Sequence, residues 1–213
     1  MARLILLVLT RWRVRGRQNV PRKGPIIVVA NHLSMADPPI LSASMPRHIV
    51  FMAKEELFGW HPLSPLVRSF GAIRVRKNLA DRRALTQARQ ALSGGMAVGM
   101  FPEGSRSPNH TLQPAYPGAA LLALTTSVTI LPVAISGTEK IKGIGWLLQP
   151  RIEVNIGEPF TLEINPAQDR KQQIRQGTDI IMHHIAELLP AEYRGEYGSD
   201  VPQSSLGEAG HAN

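Results

Sequence analysis

The chain has 213 residues, 43% hydrophobic and 19% charged, which suits one globular domain with a sizeable core and excludes a disordered chain. It has no cysteine, so disulfides, thiolate nucleophiles and cysteine-bound metals are excluded. The formal net charge is +8, and 14 of the 24 basic residues fall in residues 1–23 and 68–89, where Asp81 is the one acid; such blocks point to an anionic partner, whether nucleic acid, a phosphorylated small molecule or an anionic membrane surface.

In chain order, Leu4 to Leu9 is an apolar run far short of the ~20 residues a spanning helix needs. Arg3 stands before it and Arg11, Trp12 and Arg13 after it, a pattern that fits an anchor lying in the membrane interface. Residues 12–20 suit a short strand around Val14. Ile26 to Ala30 is a β-branched apolar run after Gly24-Pro25, hence a buried strand. Asp37 then reads as a helix N-cap with Pro38 at the first helical position, and the helix closes before Pro46. His48 to Ala53 is a second apolar strand, followed by a helix-like stretch from Lys54 to Phe70. Gly71 to Lys77 alternates apolar and basic residues, which predicts a strand with one buried and one cationic face.

Residues 81–92 predict a helix between an Asp81 cap and a Gly94-Gly95 stop. Met96 to Phe101 is a buried strand, and Pro117 to Thr125 a compact apolar helix. Val128 to Ile135 is a strand interrupted by Pro132. Arg151 to Ile156 is a late strand, and Gln168 to Leu189 the longest helix, with Ile174, Ile181, Ile185 and Leu188 on or near one face. The tail after Pro190 carries four acids and one base and reads as disordered from about residue 198. This predicts a membrane-interface segment at 1–11, a domain at 12–190 and an acidic tail at 191–213. The fold class is α/β, a mixed, largely parallel sheet flanked by helices.

Two loops stand out, because sites in such sheets collect beyond the strand ends. The first is Asn31-His32-Leu33-Ser34-Met35-Ala36-Asp37, between the first buried strand and its helix. On a continuous helix His32 and Asp37 would point about 140° apart, at about 100° per residue; across a tight turn they can face each other. An imidazole held by a carboxylate keeps one tautomer, and its other nitrogen is free to take a proton. Ser34 suits a turn-holding role rather than a nucleophile's. The second loop is Phe101-Pro102-Glu103-Gly104-Ser105-Arg106-Ser107. Arg106 can hold a phosphate in a bidentate fork, and Gly104 permits close backbone approach.

Asn31-His32 with Asp37, then Phe101-Pro102-Glu103-Gly104-Ser105-Arg106, then Ile130-Leu131-Pro132-Val133-Ala134 together resemble the motifs of the PlsC-type glycerolipid acyltransferases, over roughly residues 12–160. The resemblance implies a glycerol-3-phosphate acyltransferase-like fold. It implies transfer of a fatty acyl group from a thioester to the hydroxyl of 1-acyl-sn-glycerol-3-phosphate, giving phosphatidic acid, with His32 as base and Asp37 as its orienting partner. It places Glu103, Gly104 and Arg106 in acceptor binding, with Glu103 expected to bond acceptor hydroxyls or brace an arginine. Main-chain amides near Gly104 are candidate oxyanion donors.

The Gly71 segment is similar to the family's second acceptor motif, with Lys77 at its closing basic position. Two residues depart from the pattern: Arg74 adds a cation, and Tyr116, a candidate acceptor contact, stands where relatives often carry a lysine. Phe58, Trp60 and Leu63 are candidates for lining an acyl channel or dipping into the membrane. No bound cofactor or metal is implied; acyl-CoA or acyl-carrier protein is the donor substrate. The expected partners are an anionic membrane surface at its cytoplasmic face and a lysophospholipid, with no nucleic acid.

Rival readings are weaker. A metal-dependent hydrolase drawn from His32, Asp37, Glu103, His110 and His183-His184 has no standard zinc spacing. A nucleic-acid binder would rest on basic blocks that few aromatics interleave. An acyltransferase acting on another lysophospholipid or an amino-acid lipid differs only at the acceptor.

Overall fold

The computed structural model describes residues 11–61, 64–76, 81–141, 149–164 and 167–198, with every side chain in them but that of Leu66. Seven strands form one sheet: β1 (Arg11–Arg15), β2 (Ile26–Ala30), β3 (Ile49–Lys54), β4 (Ile73–Val75), β5 (Ala97–Met100), β6 (Ile130–Ser136) and β7 (Arg151–Ile156), in the spatial order β1-β7-β6-β2-β5-β3-β4. All pairs are parallel except β6 with β7. The mixed, largely parallel sheet is therefore as expected. The helices are α1 (Asp37–Ser44), α2 (Ser64–Ser69), α3 (Arg82–Ser93), α4 (Gly118–Thr126) and α5 (Arg170–Leu188).

Each face of the sheet carries its own core. Ile27, Val29, Val98 and Ile130 meet Ala84, Ala88, Leu122, Ile181 and Ile185 of α3, α4 and α5. On the other face Val28, Ala30, Leu131, Val133 and Val154 meet Ile40 and Leu41 of α1. A strand sandwiched between helical layers is apolar on both sides, which is why β2 and β6 read as continuous apolar runs. The edge strand β1 instead exposes Arg11, Arg13 and Arg15, charges that discourage pairing with a further strand.

Several local expectations are corrected. The helix expected over Lys54–Phe70 is a 3₁₀ turn, Glu55–Phe58, and the short α2. The strand expected over 12–20 ends at Arg15, and a 3₁₀ turn takes Arg17–Asn19. Pro132 does not interrupt β6, which runs through it and pairs it with Val29. Its absent N–H faces the side where the chain has left the ladder after Gly157, whose N–H donates to the Pro132 carbonyl at 2.9 Å; proline is tolerated where no partner strand asks for a donor. Asp81 does cap α3, accepting from the Arg83 and Ala84 amides. Residues 191–198, assigned to the tail from sequence, form two 3₁₀ turns. The expected membrane-interface segment lies outside the described residues save Arg11, as do Leu63, Lys77 and the tail beyond residue 198.

Candidate active site

Three adjacent parallel strands build the site. In the order β6-β2-β5, their carboxyl ends lie side by side, and the residues that follow them are Thr138, His32 and Glu103. Chain separations of 71 and 101 residues are thus closed by strand order alone. Asn31 extends the β2–β6 pairing past Ala30: its side-chain amide donates to the Ile135 carbonyl at 2.8 Å and its side-chain oxygen accepts from the Ile135 N–H at 2.7 Å. This fixes the chain one residue before the histidine.

His32 Nδ1 and Asp37 Oδ2 are 2.8 Å apart. Asp37 is wholly buried, while the His32 side chain keeps 16% exposure. Asp37 Oδ2 also accepts from the Leu33 and Ser34 amides at 2.6 and 2.7 Å, and Oδ1 accepts from the Thr138 hydroxyl at 2.6 Å. Four donors, the His32 ring among them, surround this one carboxylate and offset the cost of burying it. Asp37 is not the helix cap expected from sequence: Ala36 occupies that position and Asp37 is already helical. Its carboxylate turns back to close the 33–37 turn instead of reaching forward to cap the helix. Ser34 holds the same turn, its hydroxyl accepting from the Ala36 amide at 3.3 Å and its carbonyl from the Asp37 amide at 3.1 Å.

The far side of His32 is also fixed. Its ring stacks on Phe101 with centroids 4.3 Å apart. Its carbonyl accepts from the Ser107 amide at 2.8 Å, and its N–H donates to Glu103 Oε1 at 2.8 Å. Glu103 Oε2 accepts from the Gln113 amide at 3.0 Å. With both oxygens bonded to main-chain N–H groups and only 3% exposure, Glu103 braces the histidine loop. His32 Nε2 has no hydrogen-bond partner among the described residues.

Burial pushes Glu103 up to about 7, with nearby Asp37 adding to the shift and the two amide bonds opposing it. A carboxyl ordinarily near 4.5 therefore holds its proton more tightly folded than unfolded. Stability from this group is fully present below pH 4.5 and is lost as pH rises through about 7, a change of about 3 kcal/mol. Melting curves of wild type and Glu103→Gln should converge or cross in the corresponding sense between these limits: the wild type loses ground to the variant as pH rises. Parallel curves would mean that Glu103 titrates normally.

Around this frame lie the remaining residues expected from sequence. Gly104 has φ +64°, and a Cβ there would come within 2.8 Å of the Tyr116 ring, so the tight turn and the tyrosine both require glycine. The Gly104 N–H donates to the Phe101 carbonyl at 2.9 Å, so it is not free to serve an oxyanion. Tyr116, 68% exposed, covers the outside of this turn. Arg106 is exposed and forms no ion pair with a described residue. Arg74 lies over the Phe58 ring at 4.6 Å. Phe58 is itself buried beneath that contact, whereas Trp60 is 54% exposed.

Sequence reading missed Thr138 and Gln113, which hold Asp37 and Glu103. Nothing local marks them; only the strand order brings them in. Among the described residues no group of three or more His, Asp or Glu could hold a metal ion. His184 stacks on Phe160 and His183 meets the Tyr197 ring edge-on.

Residues 11–136 match the protein-family model described as Acyltransferase. The chain is 28% identical over 189 residues to a 1-acyl-sn-glycerol-3-phosphate acyltransferase of Streptococcus pneumoniae, covering 84% of this chain and 67% of that protein. It is 32% identical over 140 residues to a lyso-ornithine lipid O-acyltransferase of Pseudomonas aeruginosa, covering 60% of this chain and 53% of that one. The crystal structure of the 1-acyl-sn-glycerophosphate acyltransferase PlsC from Thermotoga maritima superposes with a TM-score of 0.67 at 27% identity, over 88% of this chain and 76% of that chain.

Proposed function

The chain belongs to the Acyltransferase family, and on that premise we propose that it transfers a fatty acyl group from a thioester to the free hydroxyl of 1-acyl-sn-glycerol-3-phosphate, giving phosphatidic acid. The observation that carries the reading is the His32–Asp37 pair: a buried carboxylate with four donors, and an imidazole tied to it through one nitrogen with the other unpartnered. With Nδ1–H held by Asp37, Nε2 takes the proton of the acceptor hydroxyl. That oxygen attacks the thioester carbonyl, and the tetrahedral intermediate collapses as its C–S bond breaks. The departing thiolate takes the proton back from the imidazolium, so ester and free thiol leave and the enzyme is restored. No serine or cysteine nucleophile takes part.

Arg106 and Arg74 are the cations proposed for the acceptor phosphate, with Lys77 from the sequence pattern. Gly104 allows the acceptor to approach the turn. Arg106→Ala should raise KM for lysophosphatidic acid by about 10- to 100-fold, the value of one charge-assisted bond, with a smaller change in kcat. With a lysolipid that lacks the phosphate, the same variant should bind as wild type does. Steady-state kinetics on both acceptors checks this; equal losses on both would remove Arg106 from phosphate recognition.

The reaction is proposed to run at an anionic membrane surface on its cytoplasmic face, where a lysolipid acceptor and a two-tailed product reside. Among the described residues no helix is long and apolar enough to cross a membrane. Support for a surface mode comes from the exposed Trp60, from the exposed Arg74 in the middle of the edge strand β4, and from the exposed Arg82 and Arg83 in the first turn of α3. The donor is acyl-CoA or acyl-carrier protein. Thiol release from each, with detergent-dispersed lysophosphatidic acid, tests the assignment directly; turnover that needs the phosphate acceptor supports it. A second reading, transfer to a lysolipid such as lyso-ornithine lipid, is favoured by Tyr116, which lays an uncharged side chain against Gly104. Turnover with that acceptor alone would keep the His32 chemistry and move the substrate.

A further inference from the structure

Thr138 and Gln113 fix His32 from opposite sides, through Asp37 and Glu103, but they lie on separate loops after β6 and β5. One residue joins those loops. Tyr193, in the 3₁₀ turn Ala191–Tyr193 beyond α5, accepts at its carbonyl from the Leu112 N–H at 2.9 Å and donates its hydroxyl to Glu139 Oε1 at 2.8 Å. Leu112 is the neighbour of Gln113, and Glu139 the neighbour of Thr138.

The join is built rather than incidental. Leu112 and Thr138 are both fully buried or nearly so, at 3% and 0% exposure. Glu139 Oε2 is buried with no hydrogen-bond partner among the described residues, so this carboxylate relies on the tyrosine hydroxyl at Oε1. Two residues on, Gly195 has φ +56°, and a Cβ there would lie 2.7 Å from the Leu112 carbonyl oxygen. The segment is thus pressed onto the 111–112 backbone. Burial and Glu139 together push the Tyr193 hydroxyl up to about 12, so it remains a donor at any working pH.

We propose that Tyr193 is a positioning residue for the acyl transfer: it straps the loop that holds Glu103 to the loop that holds Asp37, and so sets the orientation of His32 from outside the site. This rests on the function proposed above, which supplies the rate to be measured. The strap itself is a statement about geometry and has a readout that does not need turnover.

Tyr193→Phe removes one hydroxyl and leaves the ring, so the fold should survive. We expect kcat to fall about 10-fold with KM for donor and acceptor unchanged, because slight misplacement of a base costs rate and not binding. Glu139→Gln keeps an acceptor for the hydroxyl and should retain most of the activity, while Glu139→Ala should match Tyr193→Phe. If Tyr193 acts through Thr138 and Asp37, Tyr193→Phe combined with Thr138→Val should be within about 2-fold of Thr138→Val alone. Multiplying effects in the double variant, or unchanged kcat in Tyr193→Phe, would overturn the proposal. Amide hydrogen exchange separates this from the function itself: in Tyr193→Phe, protection should drop at residues 111–113, 137–140 and 32–34 and stay unchanged in α5 and the central strands. An enzyme inactive on every lysolipid that nonetheless shows this pattern would overturn the function and keep the strap; unchanged exchange at residues 32–34 would overturn the strap.

Discussion

His32→Ala should lower kcat for acyl transfer by about 10³-fold or more, the upper part of the range for loss of a general base, and should lower the melting temperature only modestly. Both halves follow from the geometry. The ring is removed, but the backbone N–H that binds Glu103 and the carbonyl that accepts from Ser107 remain. Asp37 keeps its bonds from Leu33, Ser34 and Thr138, so no buried charge is left bare. The losses to the fold are the stacking contact with Phe101, worth about 1 kcal/mol, and the hydrogen bond between His32 Nδ1 and Asp37, whose carboxylate keeps its three other donors. Thiol release and a thermal melt on the same preparation check the two halves together. A folded variant that retains a tenth of wild-type turnover would remove His32 from the chemistry.

Asp37→Asn and Asp37→Ala should separate the carboxylate's charge from its hydrogen bonding. In the asparagine variant, the amide oxygen takes the Oδ2 place, because two backbone N–H groups there cannot turn away. The amide nitrogen then faces Thr138, whose hydroxyl can rotate to accept. The turn survives, at a cost of about 1–3 kcal/mol for weakening bonds to a charge. The imidazolium formed in the reaction, however, loses its counter-charge, and kcat should fall about 10²-fold or more with little change in KM.

Asp37→Ala leaves the Leu33 and Ser34 amides and the Thr138 hydroxyl without an acceptor in a site that is fully buried. Unfolding free energy should drop by about 3 kcal/mol or more, so the alanine variant should be both inactive and unstable. Denaturant titrations paired with initial rates distinguish the two. An asparagine variant as active as wild type would leave Asp37 with only its structural task.

The rim cations act at longer range than the pair. Arg74 is exposed and held in place over Phe58 with its charge unpaired by any described carboxylate, whereas Arg76 is already paired with Glu55 at 3.1 Å. The positive charge available to an anionic ligand is thus carried by fewer side chains than the basic block of residues 68–89 suggests, and Arg106 stands nearest the Glu103 turn in the chain.

The sequence alone determined the class of fold, the place of nearly every strand, and the two loops that meet at the candidate site. Those features are local: β-branched runs, a proline and a glycine at set offsets, a cap at Asp81. It also determined that His32 and Asp37 could meet, since a turn of five residues leaves few alternatives. Tertiary structure decided what the loops do to each other. Glu103 is a brace for His32 because β2 and β5 are neighbours. Thr138 reaches Asp37 because β6 lies on the other side of β2. Residues 191–198, acidic and tail-like in composition, fold back because Tyr193 finds Leu112 and Glu139 waiting at the strand ends. Such partners are separated by many tens of residues, and no periodicity or spacing in the chain encodes strand order. It emerges only when the apolar faces of the whole sheet are buried at once.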